Sequence, residues 1–322
     1  MSGYFRENSC SFSQLRNTFW QTYLLILQRQ TRKMKHMKHI KHCFYVALLP
    51  VFFSACNVVK SELKPTQIGI CTNLANGEKM QQYGYTYVEE GVSRFLAPTK
   101  PEEEFEIILN ELANSPLPVK ACNSFIPGNL KSVGNEAAHH DILTFAETAF
   151  RRAQRAGVEI IVFGSGGSRS IPEGFPRKKG RAQFIELGKK MALIAQKFNI
   201  IIVLEPLNTT ECNFINSVSE GGEIVKEINH RHFMLLADLY HMKMENESPD
   251  TLVKYGKLIR HVHIAEKQDR AVPGTYDEDF RPYFNALKKM GYRGKISIEA
   301  RWIDFDTQIP TAMETIKRQL NN

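Results

Sequence analysis

The sequence predicts an α/β protein built as a closed (β/α)8 TIM barrel, a single domain behind an N-terminal signal segment. Three observations carry that expectation. From about residue 66 the chain alternates short apolar runs rich in β-branched residues with longer amphipathic runs, the patterns of buried strands and of helices. Eight such pairs fill about 260 residues, which suits a closed barrel better than an open doubly wound sheet. The first strand is followed by no Gly-rich dinucleotide fingerprint.

Strands are expected at Gln67–Cys71, Tyr87–Glu90, Pro118–Cys122, Glu159–Phe163, Ile200–Glu205, Phe233–Asp238, His261–Ile264 and Lys295–Glu299. They are continuous apolar runs separated by helical stretches, as parallel strands covered on both faces require. Helices are expected at Glu102–Ala113, Ala137–Ala156, Arg181–Phe198, Glu220–Asn229, Pro249–Tyr255, Phe280–Met290 and Pro310–Leu320.

Ahead of the barrel, charge is concentrated where targeting would put it. The whole chain carries a formal +8. Residues 1 to 55 hold eight basic residues (Arg6, Arg16, Arg29, Arg32, Lys33, Lys35, Lys38, Lys41) and one acid (Glu7), a net +7 that leaves +1 for the rest. A nearly neutral body has no general attraction for phosphate backbones, so no nucleic-acid partner is expected. A basic run at residues 35 to 42, an apolar run from Cys43 to Phe53 and then Ser54-Ala55-Cys56 read as a signal peptide. The apolar run is too short to span a bilayer comfortably. The small residues before the cysteine resemble a bacterial lipobox, which implies cleavage before Cys56, lipid on its sulfur, and a place in the bacterial cell envelope. The expected organisation is an over-extended start or leader at 1–36, a lipoprotein-type signal peptide at 37–55, a linker at 56–65 and the barrel at 66–322.

A barrel places its function at the C-terminal ends of its strands. Four expected strands end, or nearly end, on Glu205, Asp238, His263 and Glu299. An ionisable group at the last inward position of an apolar strand is costly unless paired or bound to metal. Singly, each has an ordinary explanation: a salt-bridge partner, a turn cap at Asp238, a satisfied core histidine at His263. Four at four strand ends indicate a site. Three carboxylates and one imidazole suit one divalent ion, Mn2+, Mg2+ or Co2+, with positions open for substrate oxygens. Such an ion stabilises the enediolate that forms when a C–H beside a carbonyl loses its proton. Glu205 and Glu299 come from opposite sides of the barrel mouth and form the natural acid–base pair. His261 points the same way as His263, two residues deeper, and reads as a core or supporting histidine.

The stretches Leu204-Glu205-Pro206-Leu207-Asn208, Ala237-Asp238-Leu239-Tyr240-His241-Met242, His261-Val262-His263-Ile264-Ala265-Glu266 and Ile296-Ser297-Ile298-Glu299, with Glu211 between the first two, form one set. That set resembles the sugar phosphate isomerase/epimerase family, the xylose-isomerase-like barrels that include ketose 3-epimerases. The resemblance implies that Glu205, Asp238, His263 and Glu299 bind the metal ion and that Glu205 and Glu299 move the proton. It also implies substrate contacts for Glu211, His241 and Arg270. Thr209 departs from the pattern, standing where many relatives carry arginine.

The function expected is therefore a metal-dependent isomerase or epimerase acting on a free sugar or keto-sugar. A dehydratase or lyase acting on keto-sugars or 3-keto-glycosides would open with the same proton abstraction. An abasic-site endonuclease would need further histidines at the early strand ends, where the chain has Glu89-Glu90 and Asn123. A non-catalytic sugar-binding lipoprotein predicts a degraded metal set. The loop from Gly164 to Arg169, with Glu173 to Lys179, is expected to cover substrate and carry a solvated charge run. His139 and His140 are expected on the surface, since neighbours on a helix cannot share a face. Cys71 and Cys122 read as small core residues, Cys212 has no role, and the cysteine spacing fits neither a disulfide framework nor a zinc site.

The N-terminal reading is tested by Cys56→Ser. The variant should lose labelling by a radioactive fatty acid and appear in the soluble fraction. An unlabelled wild type, with the variant still on membranes, would remove the lipid anchor.

Overall fold

The computed structural model describes residues 67–321. All eight expected strands are present: β1 (Gln67–Cys71), β2 (Tyr87–Gly91), β3 (Val119–Asn123), β4 (Ile160–Phe163), β5 (Ile201–Leu204), β6 (Phe233–Asp238), β7 (Ile259–Ile264) and β8 (Lys295–Ile298). They pair in sequence order, all parallel, and β8 bonds back to β1 through Gln67↔Lys295 to Ile70↔Ile298, which closes the barrel. β5 and β8 stop one residue short of Glu205 and Glu299, so these two glutamates stand on the rim. β7 begins at Ile259, earlier than expected, which seats His261 well inside the barrel.

Among the described residues ten α-helices accompany the strands: α1 (Gly77–Gln82), α2 (Glu102–Ala113), α3 (His139–Ala156), α4 (Gly166–Arg169), α5 (Arg177–Lys197), α6 (Val218–Ile228), α7 (Leu239–Met244), α8 (Asp250–Tyr255), α9 (Arg281–Lys289) and α10 (Phe305–Leu320). The sequence reading omits α1, α4 and α7. None exceeds six residues, so each carries little helical period, although α8, equally short, is among the helices expected. The longer helices are marked by their ends. α2 opens on Glu102, Glu103 and Glu104, which complement the positive end of the helix. α6 is capped by Ser217, whose side chain accepts from Glu220 N. Among the described residues no helix is long and apolar enough to cross a membrane. Residues 1–66, with the expected signal segment, the linker and Cys56, lie outside the described part.

Strand alternation divides the apolar residues into two cores. Ile161, Phe163, Ile202, Leu204, Phe233, Leu235, Ile296 and Ile298 face outward and pack beneath the helices. Ala121, Ile160, Val162, Val203, Met234 and Leu236 face inward and fill one part of the barrel. The opposite part, towards β1, β2, β7 and β8, is filled by polar groups instead: Tyr87, Glu89, His261, His263 and Ser297 are all fully buried. Gly69 makes room for this layer, because a Cβ there would lie 2.5 Å from the Tyr87 ring. Gly69→Ala should therefore lower stability by about 1–3 kcal/mol, the scale of an overpacked core. An unchanged denaturation midpoint in urea would contradict that packing.

Candidate active site

Strand period two sends Glu205, Asp238, His263 and Glu299 inward from four different strand ends, and they meet. One ligand-type atom from each lies within 4.8 Å of the others. His263 Nδ1 is the centre of the group, 3.0 Å from Glu205 Oε1 and 3.2 Å from Glu299 Oε2. An ion with bonds of about 2.1 Å separates opposed ligands by roughly 4.2 Å, so the donor set has the right size and the right oxygen-rich chemistry for a divalent cation. Asp238 reconciles its two sequence readings. Its Oδ1 accepts from Tyr240 N and caps α7, while Oδ2 faces the site, 3.5 Å from His241 Nε2 and 3.4 Å from Arg270 Nη2.

Beneath this group lies a carboxylate to which sequence reasoning gave no role. Glu89, in the middle of β2, is fully buried and its Oε1 is 3.0 Å from His263 Nε2. Its Oε2 is 2.8 Å from His261 Nε2 and accepts from Ser297 Oγ at 2.5 Å, and Ser297 Oγ is 2.7 Å from Tyr87 Oη. A carboxylate on the far nitrogen of an imidazole orients the ring and leaves the near nitrogen for an ion. Glu89 thus turns His263 Nδ1 towards Glu205, Asp238 and Glu299. A signal was present: Glu89 is an ionisable residue in an apolar strand, as the four chosen residues are. Asn123, at the end of β3, was also passed over. It donates to Glu299 Oε1 at 3.0 Å.

The residues assigned to substrate by resemblance form a second ring around the mouth. His241 Nδ1 faces the backbone N–H of Asn208 at 3.1 Å and its amide Nδ2 at 2.9 Å. That arrangement makes Nδ1 the acceptor and puts the proton on Nε2. Nε2 is buried, has no hydrogen-bond partner, and lies between Asp238 Oδ2 and Glu211 Oε2, the latter at 4.0 Å. A buried donor without a partner is costly, and an oxygen of a bound ligand would satisfy this one. Glu211 is held by Asn208 Nδ2 at 3.0 Å and by Arg270 Nη1 at 3.4 Å. Arg270 and the preceding Asp269 both have positive φ, 52° and 59°. The turn they make returns the Arg270 guanidinium over the barrel, 2.6 Å from Glu299 Oε2 and stacked 4.8 Å above the Tyr240 ring.

The buried charges at the centre shift one another. Burial pushes the Glu205 carboxyl up and the neighbouring Glu299 charge adds to it, so Glu205 sits above the ordinary carboxylate range. Burial acts on Glu299 as well, but the His263 imidazole and the Arg270 guanidinium outweigh it and hold that carboxyl down at about 2. Burial opposes a proton on His263, yet Glu89 and Glu299 overcome it and hold the imidazole well above its ordinary value. His261, one layer deeper, is lowered by burial despite its bond to Glu89.

Three sequence readings are corrected. Glu173, Arg177, Lys178 and Lys179 are exposed as expected, but the segment from Gly164 to Arg169 is structural: Arg169 is fully buried rather than solvated. It donates to the carbonyls of Gly164 and Phe214 and, at 2.8 Å, of Glu205, fixing the backbone beneath that glutamate. Cys71 is not a core residue. It is half-buried at the mouth, with Sγ within 4.8 Å of ligand-type atoms of Glu89 and His263. His139 is half-buried, 2.9 Å from the Ser132 carbonyl, while His140 is exposed.

A closed parallel barrel with a buried three-oxygen, one-nitrogen donor set at its C-terminal mouth belongs to a class of barrels that can hold a divalent ion at the substrate site. The chain is a member of the xylose isomerase-like TIM barrel family, whose profile matches residues 78–319. It is 34% identical over 124 residues to an L-ribulose 3-epimerase from Methylomonas sp. (strain DH-1), covering 38% of this chain and 43% of that protein. It is 30% identical over 109 residues to a 3-dehydro-D-guloside 4-epimerase from Escherichia coli K12, covering 34% and 41%. These matches span less than half the length of either curated relative. The crystal structure of a 3-keto-D-glucoside 4-epimerase from E. coli, apo form, superposes with a TM-score of 0.68 at 19% identity, over 80% of this chain and all of that one, and shows a shared fold.

Gly164 tests how tightly the donor set is packed. A Cβ at this position would collide with Glu205 Oε2, the movable end of a side chain. Gly164→Ala should fold, displace the Glu205 carboxylate, and weaken Mn2+ affinity by about 10–100-fold, the scale of a disturbed supporting contact. Calorimetric titration with wild-type affinity in the variant would show that Glu205 is not confined against Gly164.

Proposed function

We propose that the protein is a sugar epimerase or isomerase that uses one divalent metal ion and moves a proton on the carbon beside a carbonyl. The observation that carries this reading is the convergence of Glu205, Asp238, His263 and Glu299, with two glutamates from β5 and β8 meeting across one imidazole nitrogen. The family and the named relatives support it. Both curated relatives invert a carbon next to a ketone, C3 beside the C2 ketone of ribulose and C4 beside the C3 ketone of a 3-dehydro-glycoside. A keto-sugar is accordingly the substrate class.

In this reading Glu205, Asp238, His263 and Glu299 hold the ion, and Mn2+, Mg2+ or Co2+ suits their oxygen-rich set. When bound, the ion supplies stabilisation of the negative charge that develops on substrate oxygen as the proton leaves. One glutamate removes the proton from one face of the substrate and the other delivers a proton to the opposite face, which inverts the carbon. Arg270 holds the Glu299 carboxylate in place, and Asn123 does so from the other side. His241 Nε2–H and Glu211 lie where they donate to and accept from substrate hydroxyls. Early strands that carry Glu89 and Asn123 rather than histidines favour this one-ion chemistry over multi-metal phosphodiester cleavage. The Ser54-Ala55-Cys56 motif supports an envelope-anchored enzyme that meets free rather than phosphorylated sugars.

Gln is the informative substitution, since it keeps the size and one carbonyl ligand but is no useful base. Glu205→Gln and Glu299→Gln should each reduce turnover of a keto-sugar by at least about a hundredfold, with metal content falling less. In D2O, a variant that still exchanges deuterium into substrate yet forms no epimer identifies the glutamate that remains active. Near wild-type turnover in both metal-loaded variants would end the two-glutamate mechanism.

A further inference from the structure

We propose that the cavity at the mouths of β1, β2 and β3 is a subsite for a second sugar residue, so that the preferred substrate is a glycosidically extended keto-sugar rather than a free monosaccharide. The proposal rests on the epimerase reading above and names its substrate more narrowly.

The cavity has a volume of about 520 Å3, and although none of the four donor residues lines it, three of its wall residues border them. Asn123 lies in its wall and donates to Glu299 Oε1. Glu89 and Cys71, also in the wall, flank His263. The other side of the mouth carries Glu211, His241, Arg270 and Tyr240, the ring assigned above to the reacting sugar, in which Arg270 bonds Glu211 and stacks on Tyr240. A sugar placed with its reacting carbon at Glu299 therefore has room to extend towards β1–β3. A volume of this order is in the range of pockets that enclose drug-sized molecules, roughly 300–1,000 Å3.

Gly91 accounts for the opening. Its φ of −76° and ψ of 131° are open to any residue, and a Cβ there would meet nothing within 4 Å. Neither backbone conformation nor packing requires glycine at this position. What glycine does is leave the cavity wall without a side chain.

The lining chemistry selects the class of occupant. Arg94 directs Nε and Nη2 onto Glu90 Oε2. Glu90 is itself buried and fixed by Leu74 N–H at 2.6 Å and Gly91 N–H at 3.2 Å. The guanidinium is thus held in orientation and neutralised, with its Nη1 edge turned away from Glu90. A neutralised fork donates to hydroxyls but gives little reward for a phosphate or carboxylate. Asn73, Ser93, Asn123 and Ser124 add uncharged donors and acceptors. That set fits a neutral polyol.

The test uses the metal-loaded full chain and its Gly91→Leu variant, with kcat/KM measured for a 3-keto-disaccharide and for a free ketohexose. The isobutyl group should fill the subsite without touching the donor set. The expected result is at least a tenfold loss of kcat/KM on the disaccharide, carried mainly by KM, with the ketohexose value and the bound metal unchanged within about twofold. Should Gly91→Leu fail to fold by circular dichroism, Ser93→Leu places the same bulk on an exposed residue of the same wall. Equal losses on both substrates, no loss on the disaccharide, or a wild type that prefers the ketohexose by tenfold would each overturn the subsite. A wild type that turns over neither substrate, and exchanges no deuterium into either, would instead bring down the epimerase reading on which the subsite depends.

Discussion

His263 stands between two groups of carboxylates, and the arrangement of the site follows from that position. Below it, Glu89 takes Nε2; above it, Glu205 and Glu299 converge on Nδ1. An imidazole has two distinct nitrogens, so fixing one determines what the other can do. If Glu89 were absent, the ring could turn or change tautomer, and its near nitrogen would no longer be aimed at the other three ligands. The buried Glu89 charge is in turn tolerated because His263, His261 and Ser297 surround it, and the two histidines hold its carboxyl well below the ordinary carboxylate range against the effect of burial.

This buried polar column divides the barrel interior. Towards β3–β6 the inner layer is aliphatic, with Ile160, Val162, Val203, Met234 and Leu236. Towards β1, β2, β7 and β8 it is a hydrogen-bonded stack from Tyr87 through Ser297 and Glu89 to His263. A partly satisfied polar network would cost more than an apolar core. Here the orphan is one atom, His261 Nδ1, a bare acceptor rather than an unpaired donor or charge. The outer apolar layer beneath the helices carries the burden of stability, which leaves the interior free to hold a column suited to function.

The surroundings of the donor set are equally specialised. Arg169 is spent entirely on backbone carbonyls, including that of Glu205, and so converts a glycine-rich loop into a rigid floor. Gly164 contributes by having no side chain where the Glu205 carboxylate must lie. Arg270 reaches Glu299, Asp238 and Glu211 together from a left-handed turn, binding the ligand ring to the substrate ring. His241 remains the one member of that ring with an unpaired buried donor, which marks the place where a ligand oxygen completes the site.

The eight strands, their order and the inward direction of Glu205, Asp238, His263 and Glu299 were determined by the sequence alone. A buried parallel strand announces itself as an apolar run, and period two carries every second residue to the same face. The short helices α1, α4 and α7 were missed because so few residues carry little period, although the equally short α8 was read. The role of Glu89 was decided by the tertiary structure. Its partners His263 and Ser297 lie 174 and 208 residues away, and only closure of β8 onto β1, the neighbour of β2, brings them within hydrogen-bond distance. The same closure moved Cys71 from an expected core position to the mouth, and burial turned Arg169 from an expected surface charge into a backbone clamp. Periodicity records which face a residue points to; it does not record which distant side chain waits there, because that depends on register and closure, which are properties of the assembled sheet.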